Sequence, residues 1–151
     1  MKKILLHEII IALLALLIVY AGSSKLLDMA GFRAGMREQP FPAWLNGLLA
    51  MVLPFAEIII AAALGFTKTR RVALYAYTAL MICFAGYTGL VVTGFFARTP
   101  CGCGGIISGL SWGWHFIINL IFLLLSSLAL WHNRHNHIMH DQGVSRKPVT
   151  E

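Results

Sequence analysis

The stretch IIIALLALLIVYAGSSKLL, residues Ile9 to Leu27, decides the class of molecule. It is close to the roughly 20 residues that cross a ~30 Å hydrocarbon core at 1.5 Å per residue. Three further runs repeat the pattern: Trp44 to Phe66, Val72 to Ala97, and Trp112 to Trp131. In lipid, only helices and closed barrels satisfy every backbone N–H and C=O, and none of these runs shows the alternation of a barrel strand. The sequence therefore predicts an all-α integral membrane protein, a bundle of four transmembrane helices.

Composition agrees. Of 151 residues, 58% are hydrophobic and only 12% charged, half the charge of an ordinary soluble domain. The net charge of +6 does not point to nucleic acid, because the cations are few and scattered between apolar runs. Lys2 and Lys3 followed by an apolar stretch and Ala21-Gly22-Ser23 partly imitate a cleaved signal segment. The apolar run, however, is longer than a signal core and continues to Leu27, which favours a retained helix. The predicted membrane domain covers 1–132. Residues 133–151 form a polar tail, expected to be cytoplasmic and unstructured.

The loops predict orientation. With four crossings, Lys2, Lys3, Lys68, Arg70, Arg71, Arg134, Arg146 and Lys147 share one side, against Lys25, Arg33, Arg37 and Arg98 on the other. Lysine and arginine accumulate on the cytoplasmic side, so both termini are predicted inside. Trp44, Trp112, Trp114 and Trp131 fall at predicted helix ends, where indole rings favour the headgroup level. The segment TPCGCGG, Thr99 to Gly105, then faces the periplasm of a bacterial inner membrane, where disulfides persist and exchange.

Cys101 and Cys103 are separated by one glycine. A disulfide between them needs a constrained backbone, which Gly102 relieves. Closing so small a ring removes little unfolded-state entropy, which argues against a supporting role. Strained, exposed disulfides are the labile and oxidising kind. Three readings stay open: a redox-active dithiol, a soft-metal site to which His115 adds a nitrogen, and a passive disulfide. Nothing in the segment supplies the further ligand that zinc requires, so no metal is assigned. Cys83, inside the third apolar run, reads as a small buried apolar residue.

Ser111 stands where a helix N-cap belongs, with His115 one turn inside. An imidazole there can take a thiol proton or stabilise a thiolate, or it can simply lie at headgroup level. Asn119, four residues on, shares its helical face and is expected to orient the ring. Glu57 interrupts the second apolar run three residues after Pro54. A carboxylate at that depth costs about 2.5–3.5 kcal/mol on insertion scales, so it should face the bundle and find a partner. Its readings are a bond to a neighbouring helix, or a site for a proton or quinone headgroup. Lys25 and Asp28, three apart, are expected to pair or to let Lys25 snorkel outward. FRAGMREQPFP, Phe32 to Pro42, reads as a short surface helix stopped by Pro40 and Pro42, most simply a connector. The tail histidines His132, His135, His137 and His140 have spacings that suit a weak transition-metal site.

Three pieces, GSSKLLDMAGF, LPFAEIIIAAALGF and PCGCGGIISGLSWGWHFIINL, together resemble the MauE/DoxX family of small four-helix bacterial membrane proteins. The cysteine-bearing piece is similar to the MauE branch in particular. The resemblance implies extracytoplasmic disulfide chemistry alongside a periplasmic thioredoxin-like partner. In the MauE branch the implied client is the disulfide-rich small subunit of methylamine dehydrogenase. Cys101 and Cys103 match the redox pair, His115 and Asn119 the accompanying helix-four pair, and Glu57 the helix-two acid. No cofactor motif is present; a quinone is the electron carrier left open. The rival readings are a non-enzymatic subunit of a larger membrane complex and a carrier of metal or small molecules.

Overall fold

The structure is a computed structural model that describes residues 2–96 and 111–144, with side chains for 5–96 and 111–133. Cys101, Cys103 and the loop around them therefore lie outside the described residues. Among the described residues five helices follow in order: α1 (Lys2–Leu27), α2 (Met29–Arg37), α3 (Ala43–Gly65), α4 (Arg70–Val92) and α5 (Trp112–Val144). Four of them hold segments long and apolar enough to cross a membrane: Leu5–Leu27, Ala43–Gly65, Arg70–Val92 and Trp112–Asn133. There is no strand among the described residues. The α5 backbone continues to Val144, past the boundary at which the sequence suggested an unstructured tail.

The core is built from Leu14, Ile18, Leu64, Leu74, Tyr77, Met81 and Ala129, all but removed from solvent. The outward faces are equally apolar: Leu16, Ile59, Val72, Ile82 and Leu124 are each more than half exposed. In water that surface would be an aggregation hazard. Against lipid tails it costs nothing, and helix association rests instead on close packing. Gly89 serves that packing, since a Cβ there would come within 3.1 Å of the Phe116 ring on α5.

The helix ends are closed by identifiable groups. At the foot of α3 the Thr69 hydroxyl donates to the Ala63 carbonyl (2.7 Å), and Arg70 Nε donates to that of Leu64 (3.3 Å). These bonds serve carbonyls that a helix C-terminus leaves without partners. Arg70 also reaches Glu8 on α1 at 2.6 Å. At the opposite end α4 stops in a Schellman turn, with Gly94 at φ 71°. Gly94 N–H donates to the Val91 carbonyl and Phe95 N–H to that of Leu90. Glycine adopts that conformation without a Cβ penalty.

α1 does not reach as far as its neighbours. A Cβ on Gly22 would lie 3.1 Å from the Glu57 Cβ, so these residues are level. Beyond that level α1 has five residues left, about 7–8 Å of helix. α3 has fourteen back to Ala43, about 21 Å. The chain fills the difference with α2, whose Phe32 and Met36 pack on Ala50, Leu49 and Leu53 of α3. The short helix expected in the first loop is present and ends before Pro40. It is no surface connector, because Phe32 and Met36 are buried in the bundle. Asp28 caps it, Oδ1 accepting from the Gly31 N–H at 2.9 Å. Tyr87 on α4 donates to Gln39 Oε1, while Gln39 Nε2 donates to the Gly35 carbonyl at 3.0 Å. Those bonds tie the end of α2 to α4.

Candidate functional site

Where α1 falls short, the bundle encloses a cavity of about 340 Å³. Lys25 of α1 forms its floor, Phe32 and Met36 of α2 and Leu49 and Leu53 of α3 line one side, and Cys83, Phe84, Thr88, His115 and Asn119 line the other. Tyr87 closes the top, in ring contact with Phe41 (5.4 Å), Phe96 (5.9 Å) and Trp112 (6.0 Å).

The floor is an ion pair. Lys25 Nζ lies 2.8 Å from Glu57 Oε1 and 2.9 Å from Oε2, and it also donates to the Ala21 carbonyl at 3.2 Å. An ammonium has three N–H donors, and all three are used. Lys25 is 7% exposed and Glu57 1%. Lys25 therefore neither pairs with Asp28 nor snorkels outward, as its sequence position suggested. Asp28 is occupied as a helix cap, and the charge of Glu57 attracts the ammonium inward. Gly22, one turn before Lys25, permits this by letting α1 approach α3 closely. Glu57 does find a partner on a neighbouring helix, the structural reading of that residue. Pro54 stands inside α3, which continues through it.

Two residues on α5 define the polar wall. His115 is 2% exposed and Asn119 3%, so both side chains face the interior of the bundle. His115 Nδ1 faces the Ser111 carbonyl at 3.2 Å. A carbonyl can only accept, so Nδ1 carries the proton, and in that tautomer Nε2 presents a bare lone pair. That atom is buried without a partner among the described residues. Asn119 does not orient the His115 ring, contrary to expectation. Its Nδ2 faces Thr88 Oγ1 at 3.4 Å. The Thr88 hydroxyl spends its own proton on the Phe84 carbonyl, 2.8 Å away, and so acts here as an acceptor. This fixes the amide the right way round and leaves Asn119 Oδ1 facing away from Thr88, again buried without a partner among the described residues.

Cys83, expected to be buried, is exposed on the lipid-facing side of α4 and borders the cavity. Among the described residues no three His, Cys, Asp or Glu side chains gather as a metal site. At the Arg70 end the His7 and His132 rings lie 5.0 Å apart, far along the helices from the cavity. Sequence reasoning named Glu57, His115 and Asn119, but it missed Lys25 as the partner of Glu57, and Thr88, Tyr87 and Gln39 altogether. A lysine one turn beyond a glycine in an otherwise apolar helix was the available signal for the first. The others carry no signal in one chain.

A family model described as methylamine utilisation protein MauE matches residues 2–132. That range includes Lys25, Glu57, His115, Asn119 and both loop cysteines. The methylamine utilization protein MauE of Paracoccus denitrificans is 33% identical over 118 residues, which cover 78% of this chain and 62% of that protein. The chain thus spans less than two thirds of the length of that relative. No solved structure matches.

Proposed function

The chain belongs to the MauE family, and from that premise we propose that it supports extracytoplasmic thiol–disulfide exchange through Cys101 and Cys103. The observation that carries the reading is the buried, unpartnered Nε2 of His115 at the end of the bundle to which the cysteine segment is joined. Phe96 and Trp112, which bracket that segment, both touch Tyr87, so its two attachment points converge above the cavity. A neutral imidazole with a free lone pair accepts a thiol proton, and the thiolate is the species that exchanges. Asn119 and the Lys25–Glu57 pair shape the surroundings of that imidazole.

In this reading the segment faces the periplasm, in keeping with the excess of lysine and arginine on the side of the two termini. The partner is a periplasmic thioredoxin-fold protein. One thiolate attacks a sulfur of the partner disulfide to form a mixed disulfide, and the second cysteine displaces the partner. The chain ends with a disulfide and the partner with two thiols; the reverse step returns both. Maturation of disulfide-containing periplasmic proteins is the corresponding role, within the methylamine utilisation that the family name states.

Single Cys101→Ser and Cys103→Ser variants, in a Cys83→Ala background, test this in intact cells by acid quenching and mass-tag alkylation. The variant lacking the resolving cysteine should accumulate a mixed disulfide with a second protein, and the other should form none. A pair that is fully oxidised in every condition, with no adduct in either variant, overturns the proposal.

A further inference from the structure

The cavity presents two acceptors that no described residue satisfies. His115 Nε2 and Asn119 Oδ1 are both lone pairs, both buried and both without a partner among the described residues. Lys25, the cation that lines the cavity among the described residues, has its protons committed to Glu57 and Ala21. The Thr88 proton is committed to Phe84. Buried acceptors left unpaired are costly, and more so where the surrounding medium is hydrocarbon. The missing component is a molecule that brings O–H donors into a membrane.

We propose that this cavity binds a lipid-tailed quinone and favours its reduced, hydroquinone form, whose hydroxyls donate to His115 Nε2 and Asn119 Oδ1. Three features select this class. Residues four apart on a helix have Cβ atoms about 5–6 Å apart, a spacing comparable with the width of one ring. Phe32, Phe84 and Trp112 supply aromatic faces for a flat headgroup. The cavity volume, about 340 Å³, lies within the small-ligand range, and the exposed Cys83 beside it marks an approach from the lipid side for the tail.

The binding itself does not depend on the disulfide reading. Joined to it, the balance closes: two thiols give up two electrons and two protons to become a disulfide, and the quinone takes up both to become the hydroquinone. The oxidised ring offers only carbonyl acceptors and makes neither bond. Two hydrogen bonds, each in the lower half of the usual net range, give the reduced form about a tenfold advantage. That preference raises the midpoint potential of the bound two-electron couple by about 30 mV, making the bound quinone a stronger acceptor of thiol electrons.

The test uses the full chain in lipid nanodiscs as the Cys101→Ser/Cys103→Ser variant, so that no dithiol chemistry contributes. Decylubiquinol and decylubiquinone are titrated separately by equilibrium dialysis against empty discs. Saturable binding is expected, with decylubiquinol held about tenfold more tightly. His115→Phe and Asn119→Leu should each lower decylubiquinol affinity at least threefold and change decylubiquinone affinity less than twofold. Leu53→Trp fills the cavity from its apolar wall without touching either acceptor, and should abolish binding of both forms. Binding no greater than to empty discs, equal affinity for the two forms, or unchanged binding in Leu53→Trp overturns the proposal. Binding that holds in this variant while no mixed disulfide forms in the single-cysteine variants would separate the two readings, keeping this one and discarding the other.

Discussion

The Lys25–Glu57 pair is the feature whose removal the structure constrains most closely. Replacing Glu57 by Gln removes the charge that balances a 7% exposed ammonium, with two of its three hydrogen bonds made to that carboxylate at 2.8 and 2.9 Å. Breaking one side of a buried pair costs about 3–5 kcal/mol, because the survivor stays charged in a medium that solvates it poorly. Lys25→Met has the same consequence for Glu57. The double variant Lys25→Met/Glu57→Gln leaves no charge to desolvate, and its stability should fall within about 1–2 kcal/mol of the parent or exceed it. The cycle therefore predicts a coupling energy of several kcal/mol, far outside the ~0.5 kcal/mol within which independent sites add. Reversible unfolding in mixed detergent micelles, followed by far-ultraviolet circular dichroism, measures all four proteins. Single variants that each lose less than 1 kcal/mol, with a double variant equal to their sum, would refute the buried pair.

Other consequences can be measured on the same material. Asp28→Ala should cost about 1 kcal/mol through loss of the α2 cap, and Asp28→Asn should recover most of it, because asparagine caps as well as aspartate; a cost in Asp28→Asn equal to that of alanine would restore the Lys25–Asp28 pairing. Gly22→Leu should destabilise by about 1–3 kcal/mol by separating α1 from α3, and unchanged stability would contradict the close approach. Tyr77→Phe should be neutral or stabilising, since its buried hydroxyl has no partner among the described residues and its removal ends a desolvation cost. A loss above 1 kcal/mol would reveal a bond to that hydroxyl.

The four crossings were legible because length and hydropathy alone determine them, and the bilayer allows few alternatives. The inward turn of Glu57 was legible for the same reason, since a carboxylate in hydrocarbon must find company. The identity of that company was not. Lys25 is three residues from Asp28 in the chain and thirty-two from Glu57, and local spacing favours the near acid. The structure reverses the choice because Asp28 is drawn to the open N–H groups of α2 while Gly22 brings α3 within reach. His115 and Asn119 could be placed on one face of α5 from their spacing. Their actual partners, the Ser111 carbonyl and the Thr88 hydroxyl, required the α4–α5 packing to be known. Cys83 was misjudged because an apolar helix in a membrane has no wet face, and composition does not say which side meets lipid.

These points reduce to one geometrical cause. α1 stops at Leu27, roughly half way up α3, and every unusual feature of the molecule follows from how the remaining space is used. α2 folds back to cover part of it and leaves the rest as a cavity. The end of α1 places a lysine at the floor, where the negative end of its helix dipole favours a cation. Glu57 then neutralises that cation, so the floor is polar without carrying net charge. The walls above it are mostly apolar, and among the polar groups that line them the two α5 acceptors are left without a partner among the described residues. A bundle with four full-length helices would pack this volume with aliphatic side chains and would have no need of Lys25, Glu57 or Asn119. A membrane protein that instead keeps buried polar groups around an open space bears their desolvation cost, and an occupant whose donors meet those acceptors offsets part of it.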